Sequence, residues 1–436
     1  MKTRNILKCL VAVVAIFTYS CSSDSDGGGT PTTPTPGGSG ITSITVTSSD
    51  SSIELGGSVT FTVTANDGSN VTSTSTILVN NSSIQGVSYT PTATGSFTIK
   101  ASYEGLTSAN INLNVLPPVL TALRVESADT SIKVGDTAAF IVIGTDASGN
   151  DYTITDSADI SVNGTAIVGN RFMATAMGDL EATATKDALT STIFTLPVTA
   201  ETAPGTFARN AVIEDFTGTW CGWCPRVSYA IEQVEAQSDR VFAIAAHSGD
   251  NMENSFSSTL VSQFNPGGSY PTAVINRDAE WTYPEPSNVA QATNLATGTT
   301  TSGLSINSMV VGNQLQVYVS TAFAQSTSGA KLVVLVLEDG IVASQGNYTS
   351  YYGGVDPIPQ FEHNHTLRHS MTNVLGDAIA NTAANSKNDK LFDIAIPALV
   401  NDRSKMSIVA MIVASDNTVI NATGAHVGTD KDYEAN

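Results

Sequence analysis

Two stretches of the chain repeat one pattern of alternating apolar and polar residues. Residues 41–116 align with residues 119–199, first at an offset of 79 positions, which places Phe61 on Phe140 and Asp67 on Asp146, and then at an offset of 83 after a four-residue insertion. Short alternating runs in each copy end at Asp, Asn or Gly residues that favour turns, the pattern of antiparallel strands. Because each such strand has one apolar face to bury, the pattern predicts two all-β sandwich modules.

These two modules resemble bacterial immunoglobulin-like domains. The resemblance implies a role in spacing or in binding. We predict spacers, because neither copy contains a cluster of aromatic or metal-ligating residues. Ligand binding by the modules is the alternative.

The N-terminus has the pattern of an export signal. Basic residues precede a short apolar run at residues 10–17, which predicts a signal peptide over residues 1–20. Cys21 follows at the position of the lipidated cysteine in lipoproteins, and residues 21–40 form a Gly-, Pro- and Ser/Thr-rich linker. We predict lipidation of Cys21; a plain secretory signal cut nearby is the alternative.

The acidic charge of the chain agrees with export. The chain has a net charge of -20, so we expect no nucleic-acid partner, since phosphate backbones would be repelled. Acidic residues after Cys21 resemble the export signals of surface lipoproteins. We therefore predict a protein anchored to the outer membrane through its lipid, facing the cell surface or the periplasm.

Residues 205–298 have a different sequence pattern from the rest of the chain. Apolar runs at 211–216, 241–246 and 272–276 alternate with helical patterns at 225–237, 253–264 and 287–296, which predicts an α/β domain. Residues 299–436 return to strand patterns and predict a C-terminal β-sandwich. The sequence thus predicts a multidomain fold, with two immunoglobulin-like sandwiches, an α/β domain and a C-terminal β-sandwich.

Cys221 and Cys224 are the cysteines that remain after the predicted signal peptide and lipid site are set aside. A strand, a turn and a helix should place Cys221 at a helix N-terminus, where the helix dipole favours the thiolate. We predict that Cys221 is the nucleophile of thiol–disulfide exchange and that Cys224 resolves the mixed disulfide. Trp220 precedes the pair, Trp223 lies between the two cysteines, and both are predicted to contact substrate. A purely structural disulfide is the alternative.

The motif Trp-Cys-x-x-Cys, with Asp215 six residues before it and Tyr270-Pro271 after it, resembles the thioredoxin superfamily. The resemblance implies that Pro271 is cis, that the backbone of Tyr270 pairs with substrate, and that Asp215 is a buried proton acceptor for Cys224. Glu214 is the other candidate for this carboxylate. No cofactor is implied, because the dithiol itself carries the electrons.

Longer motifs resemble one particular family. Residues 214–225, 247–250, 270–277 and 363–368 together resemble the 28-kDa outer membrane protein family over about residues 205–436. The resulting hypothesis is a lipoprotein that exchanges disulfides with exported proteins. The alternative is a non-catalytic surface or adhesin-type protein that binds surface or host ligands.

Three histidines, His363, His365 and His369, lie close together in the sequence. Alternate residues of a strand share a face, so His363 and His365 together could bind a metal. We favour a role in a loop or a domain interface, and predict no metal site.

Overall fold

The computed structural model describes residues 40–435, which divide into two compact units at residue 118. The predicted signal peptide and the predicted lipid site at Cys21 lie outside the described residues. Within residues 40–435, no helix is long and apolar enough to span a membrane. Strands far outnumber helices in both units.

The first unit is built from two sheets that share one core. In β3 the side chains of Val59, Phe61 and Val63 are buried while the threonines between them face outward or are only partly covered, because successive strand residues point to opposite faces. The sheets have the strand orders β1-β3-β6 and β2-β9-β7-β4-β5, with β8 paired to β7. The strands are β1 Ile44–Ser48, β2 Ser52–Glu54, β3 Val59–Ala65, β4 Thr76–Val79, β5 Ser82–Ser83, β6 Ser88–Tyr89, β7 Gly95–Tyr103, β8 Leu106–Thr107 and β9 Ile111–Leu116.

The second unit begins with a similar set of strands. They form the sheets β10-β13-β14, β11-β20-β18-β15-β16 with β19 paired to β18, and β12-β17. Their core also contains Met309 and Tyr318 from the C-terminal third of the chain. The strands are β10 Leu120–Glu126, β11 Ile132–Lys133, β12 Thr137–Ala139, β13 Ile141–Asp146, β14 Asp151–Thr153, β15 Asp159–Val162, β16 Thr165–Ala166, β17 Arg171–Met173, β18 Gly178–Lys186, β19 Leu189–Thr190 and β20 Phe194–Thr199.

The remainder of the chain forms one nine-stranded sheet, a four-stranded sheet and two two-stranded sheets, one of which is a hairpin over residues 341–363. The strands are β21 Phe207–Ala208, β22 Ala211–Thr217, β23 Val241–His247, β24 Thr272–Ile275, β25 Ala279–Glu280, β26 Thr299–Thr300, β27 Ser302–Val311, β28 Gln314–Phe323, β29 Lys331–Glu338, β30 Ile341–Gln345, β31 Ile358–His363, β32 Thr366–Ser370, β33 Asp377–Ala378, β34 Ser386–Ala395, β35 Met406–Val413, β36 Val419–His426 and β37 Asp430–Lys431. The α-helices are α1 Pro225–Glu235, α2 Ser255–Phe264 and α3 Val289–Thr293.

The nine-stranded sheet has the order β25-β24-β22-β23-β32-β29-β35-β36, with β33 paired to β29. Helices α1 and α3 cover one face, where Val227 and Ala292 pack with Ile213, and α2 packs on the other through Leu260. Further along, β29 and β35 are apolar on both faces, because the four-stranded sheet β34-β28-β27-β37 covers their second side. Such strands have continuous apolar sequences rather than alternating ones.

The predicted fold class is wrong, because residues 205–298 do not form an α/β thioredoxin-like domain of their own. The strands of that segment are one end of the nine-stranded sheet, which continues from β23 into β32 through the pairing of Ala245 with Thr366. The other strands of the sheet come from residues 331–426. Alternation of strands and helices along the sequence is a local pattern, and it does not indicate which distant strand completes a sheet edge.

Candidate functional site

The cysteine pair lies in the turn that joins β22 to α1. Cys221 and Cys224 form a disulfide, with their Cα atoms 5.4 Å apart. Cys224 is the residue before the first turn of α1, and the missing N–H of Pro225 is no loss there, because first-turn N–H groups have no helical acceptor. The backbone N–H of Val227 donates to the carbonyl of Cys224 at 2.9 Å. The pair thus lies at the helix N-terminus that the sequence predicts.

A distant segment covers this disulfide. We call residues 345–348 the covering segment. Its backbone N–H groups donate to the disulfide turn, from Gly346 to Thr219 at 2.8 Å and from Tyr348 to Gly222 at 2.6 Å. The amide of Gln345 donates to the carbonyl of Cys221 at 2.9 Å. Under this cover, Cys221 is only 4% exposed and Cys224 only 1%.

Gly222 is needed for this close approach. A Cβ atom added at position 222 would lie 2.5 Å from the ring of Tyr348, which is closer than real Cβ contacts. The absence of a side chain therefore lets Tyr348 lie flat against the disulfide turn. Gly222 and Tyr348 are 126 positions apart, so no local pattern in the sequence predicts their contact.

Aromatic side chains surround the covered disulfide. Trp220 is 54% exposed, Trp223 is 52% exposed and Tyr348 is 62% exposed. The Trp220 ring meets the Tyr270 ring edge-on with centroids 5.3 Å apart, and the Trp223 ring meets the Tyr348 ring at 6.0 Å. We call these four residues the aromatic surface. Three of them are predicted substrate contacts, and Tyr348 is the member that the sequence analysis missed.

A hydrogen bond and two neighbouring glycines fix the position of the Trp220 ring. Its indole N–H donates to the carbonyl of Ser248 at 2.8 Å. Gly218 and Gly249 leave room for the ring, since a Cβ at either position would lie within 3 Å of the indole nitrogen. The exposed face of Trp220 is therefore held in one orientation.

Pro271 follows Tyr270 on the approach to β24, and the peptide bond between them is cis. Thr272, Ala273 and Val274 pair with β22 in antiparallel register. The predicted residue Pro271 thus lies beside the strand that leads into the disulfide turn.

Asp215 and Glu214 point to opposite faces of β22. Glu214 is fully buried and forms an ion pair with Arg277, with oxygen–nitrogen distances of 2.7–3.1 Å. Asp215 is 2% exposed, and its Oδ1 has no hydrogen-bond partner among the described residues. Burial, aided by the negative charge of Glu285, raises the pKa of Asp215 to about 8. The carboxyl is therefore mostly protonated at neutral pH.

Asp215 faces a small, partly open space on the α1 side of the sheet. The cavity has a volume of about 50 Å³, and its lining includes Ser228, His247, His363 and His365. A space of this size accommodates a few water molecules at most, since each needs about 10–15 Å³. The cavity is thus too small for an organic substrate.

The histidines near this cavity lie in different surroundings, although the rings of His247 and His363 meet edge-on with centroids 5.2 Å apart. His247 Nδ1 lies 2.8 Å from Asp250, and although burial opposes ionisation, His247 lowers the pKa of Asp250 to about 2. Burial lowers the pKa of His363 to about 4, and its Nε2 has no partner among the described residues. His365 contacts Glu235 at 2.9 Å, and although burial opposes protonation, this contact raises its pKa.

No group of three or more His, Cys, Asp or Glu residues is placed to hold a metal ion within residues 40–435. His369 instead packs edge-on against Phe256, with ring centroids 5.0 Å apart. The histidine segment joins β31 to β32 at the place where the hairpin meets the main sheet.

One family model matches part of the chain. Residues 257–431 match the family model described as outer membrane protein Omp28. The match confirms the outer-membrane location that the sequence predicts. It covers less than half of the chain and begins after Cys224, so it agrees with only part of the resemblance expected over residues 205–436. No curated protein matches the chain.

Several solved structures show a distant likeness. HBP35 of Porphyromonas gingivalis is 17% identical with a TM-score of 0.41, and the match covers 53% of this chain and 79% of that one. FdeC, an adhesin of Escherichia coli, is 11% identical with a TM-score of 0.25, covering 88% of this chain and 97% of FdeC. The adhesin InvE of Yersinia pseudotuberculosis is 15% identical with a TM-score of 0.21, covering 36% and 59%. These scores are too low to support an argument about function.

Proposed function

We propose that the chain is a non-catalytic binding protein of the outer-membrane surface, and that the aromatic surface is its ligand-binding face. In this proposal the disulfide has a structural role. It ties the turn that carries Trp220 and Trp223 to the start of α1, so that both rings are presented in fixed positions.

The observation that supports this proposal is the burial of the disulfide. Thiol–disulfide exchange requires a thiolate to reach one of the two sulfur atoms. The covering segment lies across that approach and leaves Cys221 only 4% exposed. A disulfide covered in this way is protected from exchange unless the covering segment moves.

The aromatic surface has the character of a binding face. The chain contains three tryptophans, and Trp281 is buried whereas Trp220 and Trp223 are half exposed beside the disulfide. Exposing large apolar rings to water is unfavourable, so clustered exposed rings indicate a contact that covers them. Tryptophan and tyrosine also contribute strongly to binding energy per residue.

The experiment tests binding by cells that display the full chain. Their adhesion to arrays of glycans and extracellular proteins should fall at least about tenfold in the double variant Trp220→Ala/Trp223→Ala. Met177→Ala is the matched control, because Met177 is 70% exposed and lies outside the aromatic surface. Adhesion that is equal in all three proteins would contradict the proposal.

Thiol–disulfide exchange is the second candidate function, and the raised pKa of Asp215 favours it. In this scheme an external thiol reductant first converts the Cys221–Cys224 disulfide to the dithiol. The Cys221 thiolate then attacks a substrate disulfide and releases one substrate thiolate. Cys224 then attacks the mixed disulfide, its proton passes to Asp215, and the second substrate thiolate leaves. The substrate is reduced and the cysteine pair oxidised, while Pro271 and Tyr270 contact the substrate backbone.

Trapping of mixed disulfides distinguishes the two candidate functions. If exchange occurs, Cys224→Ser should trap exported proteins on Cys221 as mixed disulfides, and Cys221→Ser should trap none. In addition, the exchange rate should rise as the pH increases through about 8, where Asp215 ionises. Absence of trapped species in both variants would leave the binding proposal as the better account.

A further inference from the structure

A second concave site lies beside the disulfide turn and shares no lining residue with the Asp215 cavity. The groove has a volume of about 530 Å³. Its walls are residues 341–344 of β30 on one side and Thr219, Asn251, Leu399 and Asn401 on the other sides, with Arg368 also lining it. At this volume the groove can hold several residues of a peptide.

Strand β30 presents a free edge to the groove. Within residues 40–435, β30 pairs with β31 alone, in a two-stranded sheet. Four consecutive residues of β30 line the groove, so its backbone as well as its side chains faces the space. An unpaired strand edge with room beside it is a template for another extended chain.

Arg368 provides an unsatisfied donor in the same groove. It is 5% exposed, its Nη2 donates to the carbonyl of Leu399, and its Nη1 has no partner among the described residues. Its Nε lies 2.9 Å from a carboxylate oxygen of Glu338, although too poorly aligned for a hydrogen bond. Leaving a buried N–H without an acceptor is costly, so the guanidinium indicates a ligand atom that accepts a hydrogen bond.

The charges around the groove limit which ligand can bind there. Glu338 already balances the charge of Arg368, and no other charged side chain is present among the described residues that line the groove. The chain as a whole carries a net charge of -20, which disfavours an acidic ligand. The complementary acceptor is therefore an uncharged one, such as a peptide carbonyl.

We propose that this groove binds an uncharged, extended peptide segment of a partner protein. The segment pairs with the free edge of β30, and one of its carbonyl groups accepts from Nη1 of Arg368. Because an extended chain advances about 3.3 Å per residue, residues 341–344 can pair with about four residues of the peptide. The site is separate from the aromatic surface, so it goes beyond the function proposed above.

The test uses random heptapeptides displayed on phage, selected on the full chain. Enriched peptides are synthesised, and their affinities are measured for the parent and for four variants. Ser344→Trp fills the groove from an exposed position of β30, whereas Gln360→Trp adds the same bulk to an exposed position of β31 that does not line the groove. Trp223→Ala alters the aromatic surface alone.

We expect Ser344→Trp to weaken binding at least about tenfold, the equivalent of one or more lost backbone hydrogen bonds. Methylation of alternate peptide nitrogens should weaken binding similarly, because it removes donors of the strand ladder. Arg368→Lys keeps the cation beside Glu338 but lacks Nη1, and should also weaken binding. Gln360→Trp and Trp223→Ala should bind as the parent does.

Three results would overturn the proposal: no enriched peptide, peptides that bind Ser344→Trp as tightly as the parent, or peptides whose binding survives methylation of their backbone. Loss of binding in Trp223→Ala alone would assign the peptides to the aromatic surface. That result would support the proposed function while contradicting the groove, so the two failures are distinguishable.

Discussion

Replacing Asp215 with asparagine should make the second unit more stable at high pH. The folded protein holds this carboxyl in its protonated form up to a pKa of about 8, compared with an ordinary value of 3.8. The unfolded chain releases the proton near pH 4, so between pH 4 and pH 8 the folded state binds more protons than the unfolded state. The stability of the parent therefore falls as the pH rises through this window. The asparagine side chain of the variant has no proton to release.

The magnitude follows from the two pKa values. Each pKa unit corresponds to about 1.36 kcal/mol, so the full difference between 3.8 and about 8 amounts to about 6 kcal/mol at pH 9. At pH 4 the pH-dependent difference between the parent and Asp215→Asn should still be small, because the carboxyl is protonated in the folded parent and only about half ionised in the unfolded chain. The advantage of the variant should then grow with pH and level off above pH 8.

Urea unfolding followed by tryptophan fluorescence measures this effect. All three tryptophans lie in the second unit, so the signal reports that unit even if the two units unfold separately. Asp239→Asn is the matched control, since it removes an exposed carboxylate. If the stability difference between Asp215→Asn and the parent changed by less than about 1 kcal/mol from pH 4 to pH 9, the argument that burial dominates the pKa of Asp215 would be refuted.

Two further predictions concern buried contacts of the same unit. Arg277→Met should destabilise it by about 3–5 kcal/mol, because Glu214 would be left as an uncompensated buried charge; an unchanged urea midpoint would contradict this. Gly222→Ala should push Tyr348 away and speed reduction of the disulfide by dithiothreitol at least about tenfold, since exchange depends on access to the sulfur atoms. Gly267→Ala is the control, because a Cβ there meets no neighbour within 4 Å, and equal reduction rates in both variants would show that the covering segment does not limit access.

Much of the local structure could be predicted from the sequence. The apolar run at 211–216 is β22, and the helical pattern that begins at Pro225 is α1. Both depend on neighbouring residues: the spacing of apolar side chains, and a proline at a position where a helix needs no N–H. The disulfide turn lies between them for the same local reason.

The assembly of these elements could not be predicted in this way. The strands of residues 205–298 were expected to complete a domain of their own, but β23 pairs with β32 instead. Which strand covers an edge depends on the shape and apolar area of the whole sheet. A strand such as β29, buried on both faces, has the same continuous apolar sequence whatever its neighbours are.

The sequence by itself therefore determined the secondary structure around the cysteine pair and the identity of its flanking aromatic residues, because these follow from the spacing of side chains along one short segment. Only the tertiary structure decided that the covering segment closes over the disulfide, that Glu214 rather than Asp215 meets Arg277, and that β30 keeps a free edge beside Arg368. These features join residues that are far apart in the sequence, and such contacts arise from the packing of complete sheets. Exposure of the cysteine pair, on which its chemistry depends, belongs to this second group.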